Sequence, residues 1–336
     1  MNFPDWRKEN WKDHEQNPVI GFFKASNFGF AIGDPQILTP GQKDELWHAF
    51  YHGFYENFDP FYHHLISSDG INWELKNKWH WKVGPTCLFH ENDLWFLYST
   101  CYTTEEDRKK YGDISTYIAL RTSRDLENWS EPTPILVPEE TWEKEYMPIC
   151  YTAIQVRNPC VVKLGEKKYR MYYSGGTVML PHCNYEEPKH ISFAESDSPF
   201  EPFLRFGSPI LSPDANIPHR NFGAGAIKVF GYGDEFIGLY NSIYLDSNGY
   251  PHSAINLIAS KDGIKWEEAP YNPIIPPSPG SQDFKKEFVY QLDLVRAPEG
   301  LRMYYNGRNE WSNGIERIGV SLTRDDPKVK KLWDLE

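Results

Sequence analysis

Three acidic residues stand where β-type runs of this chain begin or end. They are Asp34, set between Gly33 and Pro35; Asp293, in the run Gln291-Leu292-Asp293-Leu294-Val295; and Glu310, just past Asn306-Gly307-Arg308. Carboxyls that converge on one cleft can divide acid–base work, one held protonated as donor and the other ionised as base or nucleophile. Arg157 adds a cation at the head of another run and is followed by Asn158. A guanidinium in such a place needs an anion, whether a neighbouring carboxylate, a carboxylate on a ligand, or a phosphate. Each acid also has a structural role open to it. Asp34 can cap a turn ahead of Pro35, Asp293 can pair with Arg296 or Arg157, and Glu310 can be a solvated loop acid.

The elements that must position these groups repeat. A turn phrase ending in an aromatic occurs as Ser67 to Trp73 (SSDGINW), Thr122 to Trp129, Glu195 to Phe203 and Ser260 to Trp266, with a truncated form at 322–327. Its aspartate falls at 69, 125, 197, 262 and 325, and these repeated acids read as turn residues. Before each phrase a short apolar strand leads through a polar or Gly turn into an aromatic-rich strand. A second phrase follows at Pro134-Ile135-Leu136, Pro209-Ile210-Leu211 and Pro273-Ile274-Ile275, and appears as Pro18-Val19-Ile20 ahead of the first unit. The period lies near or above the roughly 40–50 residues of a propeller blade. The expected fold is all-β: one five-bladed propeller of four-stranded antiparallel blades. Its blades fall near 33–80, 83–136, 157–211, 223–275 and 290–327, and 1–32 closes the ring beside the last. Closure removes the edge strands an open array would leave. Short helices are expected at most at Asp5–Glu15 and Glu139–Glu145.

Composition agrees. Aromatic residues make up 16% of the 336 residues, with 26 Pro and 24 Gly, which suits many short strands and turns and also stacking on sugar rings. A formal net charge of −12 argues against nucleic acid and anionic membrane surfaces as partners. Five cysteines without a CxxC pair fit reduced thiols, and the polar N-terminal stretch shows no signal peptide, so a cytoplasmic protein is expected. Neither a metal motif nor a nucleotide-binding glycine loop occurs.

In a propeller the first strand of each blade lines the channel. The start of that strand and the loop after the second strand then share one face. Asp34, Thr86, Arg157, Asn158, Asn221 and Asp293 are candidates from strand starts. Tyr51, His52, Glu56, Arg308 and Glu310 come from second strands and the loops after them. The insertions 101–115 and 174–190 belong to the same rim.

At this point blade one resembles the opening blade of the five-bladed glycosidases, glycoside hydrolase families 43, 32 and 117 and their relatives. Asp34-Pro35, His48-Ala49-Phe50-Tyr51, His63-His64 and Ser67 to Trp73 stand where those families carry Asp-Pro, an H-x-F-Y strand, a His-bearing strand and the S-x-D-x-x-x-W phrase. The resemblance implies a hydrolase acting on a small carbohydrate, with Asp34 as nucleophile or water-activating base. It implies no cofactor, and admits a calcium ion on the propeller axis. The chain departs from the pattern in four respects, one being that blade four has no Glu-Cys pair like that of family 32. Gly84-Pro85-Thr86 stands where family 43 has an aspartate, Arg157-Asn158-Pro159 where family 32 has Arg-Asp-Pro, and Arg157 where family 43 has its third-blade glutamate. The partner proton donor is expected from Asp293 or Glu310, with Glu56 and His52 behind them. Arg157, Asn158, His52, Tyr51, Thr86, Asn221 and Arg308 are the expected substrate contacts. Arg157 with Arg220 and Arg308 leaves a second chemistry open, phosphorolysis as in the similarly shaped family 130. A sugar-binding propeller without catalysis is the third reading. The oligomeric state is not encoded in any of these features.

Overall fold

The computed structural model describes residues 1–21, 31–55, 59–146, 154–183, 185–278 and 283–333. A short strand β1 (Lys12–Asp13) precedes the first blade, which is β2 (Ala31–Leu38), β3 (Trp47–Phe54), β4 (Pro60–Ser67) and β5 (Glu74–Trp79). Blade two is β6 (Val83–Glu91), β7 (Leu94–Tyr102), β8 (Thr116–Ser123) and β9 (Thr133–Leu136), with the helix α1 (Glu105–Tyr111) in its rim insertion. Blade three is β10 (Val156–Gly165), β11 (Lys168–Met179), β12 (Glu186–Ser196) and β13 (Leu204–Arg205). Blade four is β14 (Gly223–Tyr232), β15 (Glu235–Leu245), β16 (Pro251–Ser260) and β17 (Glu267–Glu268). Blade five is β18 (Phe288–Ala297), β19 (Gly300–Arg308) and β20 (Glu316–Thr323), and β1 supplies its fourth strand. A last strand, β21 (Val329–Lys330), returns to pair with β14. The expected five-bladed all-β propeller is therefore present, closed by the N-terminal segment.

The two repeated phrases have distinct jobs. The Pro-Ile-Leu phrase bridges the third strand of its blade, through Ile118↔Leu136, Ile191↔Leu211 and Ile255↔Ile275. Ile20 does the same to Ile318, so Pro18-Val19-Ile20 completes blade five. The Ser-x-Asp phrase makes a turn in which Asp69, Asp125 and Asp262 each accept two consecutive backbone N–H groups. That turn also clasps neighbouring blades. Arg302 and Tyr304 of blade five donate to Asp69 and Gly70 carbonyls of blade one, at 2.7 and 2.9 Å. Arg170 and Tyr172 of blade three repeat the pair on Asp262 and Gly263 of blade four, both at 2.8 Å. Gly263 adopts φ +68°, and a Cβ there would stand 2.5 Å from the Tyr172 hydroxyl and 2.7 Å from Arg170 Nη1. Gly263→Ala is expected to cost roughly 1–3 kcal/mol in urea unfolding, from strain and from a broken clasp. The cavity at the axis should be untouched.

Near the axis the first strands are stitched in sequence. The N–H of Leu88 donates to Gln36 Oε1, Val161 to Cys87 Sγ, Val229 to Cys160 Sγ, and Ile37 to Asp293 Oδ2. Lys228 holds the fifth place and has no acceptor to offer. Leu294 accordingly bonds to its own neighbour Asp293, and Lys228 turns to the Thr86 carbonyl.

The helix expectations need correction. Residues 5–15 hold a 3-10 turn (Lys8–Asn10) and β1, because Asp13 is drawn to Lys285, Ser321 and Tyr305 of blade five. The α-helix lies instead at Glu105–Tyr111, where Thr104 and Asp107 form a capping box and acids precede bases along the dipole. Among the described residues no helix is long and apolar enough to cross a membrane.

Candidate active site

At the end of the axis where the first strands begin, a cavity of about 410 Å³ opens between the blades. It sits at the small end of the roughly 300–1,000 Å³ typical of ligand pockets. Its wall comes from the strand-one bulges. Each first strand has a register shift near its start, at Gly33/Gln36, Val83/Thr86, Arg157/Cys160, Gly223/Ala226 and Val289/Leu292. Such bulges re-aim side chains out of the sheet plane. In blades one and three the bulged residue takes a left-handed conformation, Asp34 at φ 56° and Asn158 at φ 59°, each ahead of a proline. Asp and Asn tolerate that region better than other side-chain-bearing residues, which is why these types fit both places.

Asp34 is 9% exposed and lines the cavity. Its Oδ2 is 2.7 Å from His52 Nε2, across the β2–β3 pair. In the ionised form the Asp34 carboxylate accepts this bond from Nε2–H. The backbone N–H of Asp34 donates to Asn306 Oδ1 at 3.2 Å, and Asn306 Nδ2 donates to Glu316 Oε2 at 3.4 Å. Arg308 closes this side, donating to Glu316 Oε1 at 3.1 Å and lying over the Tyr185 ring at 4.7 Å. Opposite, Arg157 faces Glu187 at 3.8 Å and donates to the Glu186 carbonyl at 3.3 Å.

Two of these carboxyls are pushed toward the neutral form. Burial raises Glu187 to about 7; Arg157 opposes the shift, while Glu316, Asp34 and Glu186 add to it. Burial also raises Glu316, against Arg308, with a further push from Asp34. The Glu187 side chain keeps 17% of its surface open and lines the cavity. The site thus sets Asp34, hydrogen-bonded to His52, beside two carboxyls that burial pushes toward the neutral form, the kind of division general acid–base chemistry uses.

Of the residues expected from sequence, the structure brings Asp34, His52, Arg157, Asn158 and Arg308 to this cavity. Others lie elsewhere. Asp293 does face the axis but further down, 4% exposed, where it accepts from Lys331 Nζ and from Ile37 N, both at 2.7 Å. Neither Arg296 nor Arg157 is its partner; Arg296 reaches Asp325 instead. Glu310 projects from the rim, half exposed, beside Lys286 at 3.2 Å. Tyr51 points away from the channel into the core between blades one and five, bonded to His63, because its neighbour His52 takes the channel side. Thr86 lies past the bulge with its hydroxyl on Tyr62, and Pro85 lines the cavity in its place. Asn221 is spent on both backbone groups of Leu245. Arg220, raised as a phosphate ligand, bonds to Ser212 and faces Glu268 outside the cavity. Glu56 lies outside the described residues.

Glu186, Glu187 and Glu316, at the starts of third strands β12 and β20, were not named from sequence, although the first two fall within the 174–190 insertion expected at the rim. The loop after strand two was on the expected face, so the first residues of strand three belong there as well. That continuation is the signal that finds them.

No protein-family model matches the chain, and neither does any curated protein sequence. Solved structures do. The catalytic domain of a family 62 α-L-arabinofuranosidase from Coprinopsis cinerea superposes with TM-score 0.66 at 15% identity, over 94% of this chain and 96% of that one. A putative glycoside hydrolase from Bacteroides ovatus gives 0.66 at 16%, over 98% and 100%. The α-L-arabinofuranosidase of Podospora anserina, solved with cellotriose, gives 0.65 at 12%, over 95% and 99%. The fold is the one these glycoside hydrolases share. The resemblance seen in blade one thus extends, as architecture, around the whole ring.

Proposed function

We propose that the chain is a glycoside hydrolase that cleaves a small oligosaccharide or glycoside in this cavity. Glu187 is the proton donor to the leaving oxygen, and Asp34, oriented by His52, is the base or nucleophile. The observation that carries this is the pair itself: a carboxyl raised to about 7 facing the same cavity as a carboxylate bonded to His52 at 2.7 Å. Glu316, tied to Arg308 and through Asn306 to the Asp34 backbone, positions Asp34, while burial is the main reason Glu187 is pushed toward the neutral form.

Phosphorolysis is the weaker reading. Both arginines of the cavity already face glutamates, and Arg220 is absent from its wall. Nor do the axial residues suit a calcium ion: the carboxylate there, Asp293, is held by the Lys331 ammonium, so the chemistry is assigned to protein side chains. Cytoplasmic residence is part of the same proposal, in keeping with Cys87, Cys101, Cys160 and Cys183 as free buried thiols.

The test is a panel of aryl glycosides, beginning with α-L-arabinofuranosides because two fold neighbours bear that activity in their names. The expected result is release of free sugar at a rate unchanged by added inorganic phosphate. Glycosyl phosphate as product, or binding without cleavage of any glycoside, would displace the proposal.

A further inference from the structure

Two amides in the cavity wall have work that the acid–base pair does not account for. Asn158 is 7% and Asn241 3% exposed, both line the cavity, and in each the side-chain oxygen is buried without a hydrogen-bond donor. A buried acceptor left without a donor is costly, and a native structure keeps one where something else supplies the proton.

The orientation of Asn158 follows from its neighbours. Ser174 Oγ donates its single proton to the Gly225 carbonyl at 2.8 Å. It can therefore only accept from Asn158, and it meets Nδ2 at 3.4 Å. That turns Asn158 Oδ1 away from Ser174. The Asn158 backbone N–H is fixed on Thr100 Oγ1 at 3.1 Å, so the left-handed bulge holds the amide firmly. On the neighbouring blade Gly225 lets β14 close on Asn241, since a Cβ there would stand 1.7 Å from the Asn241 carbonyl oxygen. Asn158, Ser174, Gly225 and Asn241 thus form one linked wall across blades three and four.

The rest of the cavity has the same bias. Asp34, Glu186, Glu187 and Glu316 line it against Arg157 and Arg308, and both cations face glutamates. With Glu187 and Glu316 pushed toward the neutral form the wall carries little net charge, but it is rich in acceptors and both of its cations are already engaged, which favours O–H donors over anions. Further along the axis the space narrows to a cavity of about 40 Å³ lined by Gln36, Cys87, Cys160, Lys228, Asp293 and Lys331, too small to hold a sugar.

We propose that Asn158 and Asn241 are specificity residues that accept hydrogen bonds from the hydroxyls of a neutral terminal sugar, and that the site rejects uronic acids and phosphate. This rests on the reading of the cavity as a sugar site, and its test does not need catalysis. Binding of L-arabinose, D-xylose, D-galactose and D-glucose to the wild-type protein would be measured by calorimetry, beside D-galacturonate, D-glucuronate and inorganic phosphate. At least one neutral sugar is expected to bind, with its uronate at least tenfold weaker and phosphate unable to compete. Asn158→Ala and Asn241→Ala should each weaken the neutral sugar about 5- to 50-fold, and Asn158→Asp, which keeps an acceptor, should recover part of the loss. A deoxy sugar lacking the hydroxyl that Asn158 accepts should bind wild type and Asn158→Ala alike, which a merely structural role would not produce. A uronate binding as tightly as its neutral counterpart overturns the proposal, as does neutral-sugar binding undiminished in the folded alanine variants or absent from wild type. Failure of the hydrolase reading alone would look different: neutral sugars would bind with this selectivity while no glycoside was cleaved.

Discussion

Glu187→Gln is expected to lower turnover of an unactivated glycoside about 10²- to 10⁴-fold, the usual contribution of a general acid, with little change in substrate binding. The same variant should be more stable than wild type at alkaline pH. Burial raises Glu187 from 4.5 to about 7, so between those values the folded chain binds a proton that the unfolded chain has released. Stability contributed by this group therefore falls as pH rises from about 4.5 to about 7 and stays reduced above it. Glutamine carries no such charge. In urea unfolding the variant should exceed wild type by on the order of 1–3 kcal/mol at pH 8, and the difference should vanish near pH 4. A variant equally inactive but no more stable at pH 8 would mean that Glu187 is not held protonated by its surroundings.

Asp34→Asn should abolish turnover, with a loss on the order of 10³-fold or more, because the amide can neither take a proton nor attack the anomeric carbon. The fold should survive. Asn158 occupies the matching pre-proline bulge in blade three at φ 59°, against 56° for Asp34, so asparagine is already accepted in that conformation. Asp34→Ala is the informative companion. Alanine has no polar side chain to favour the left-handed region, and about 1–2 kcal/mol of stability should go with the activity. Equal melting temperatures for wild type and Asp34→Asn, with a lower one for Asp34→Ala, would separate the chemical role of the carboxylate from its conformational one. Retention of activity in Asp34→Asn contradicts the assignment.

The ring was legible in the sequence because its repeated phrases carry backbone requirements. The Ser-x-Asp turn needs its hydroxyl and carboxylate to satisfy consecutive N–H groups, and its Gly at 70 and 263 must have no side chain where an arginine and a tyrosine close in. Asp34 was legible for a similar reason, a short acid fixed between Gly33 and Pro35. Depth along the axis was not. Alternation placed Asp293 on the channel side, but which level it occupies depends on Lys331, which the chain brings back from beyond the last blade. The bulges defeated Thr86, since one extra residue in a strand changes which neighbour faces the cavity. Glu187 and Glu316 were hidden by register. The continuation past the strand-two loop points to this region, and the pairing of Met179 with Glu186, and of Arg308 with Glu316, fixes where these hairpins bring their glutamates.

The most direct measurement compares leaving groups. A 2,4-dinitrophenyl glycoside departs without protonation, whereas the methyl glycoside of the same sugar needs a proton donor. If Glu187 is the acid and Asp34 the base or nucleophile, Glu187→Gln should cleave the dinitrophenyl glycoside at close to the wild-type rate while losing the methyl glycoside by 10²-fold or more. Asp34→Asn should lose both. An equal loss on the two substrates in Glu187→Gln, or survival of either in Asp34→Asn, would contradict the division of labour between these carboxyls.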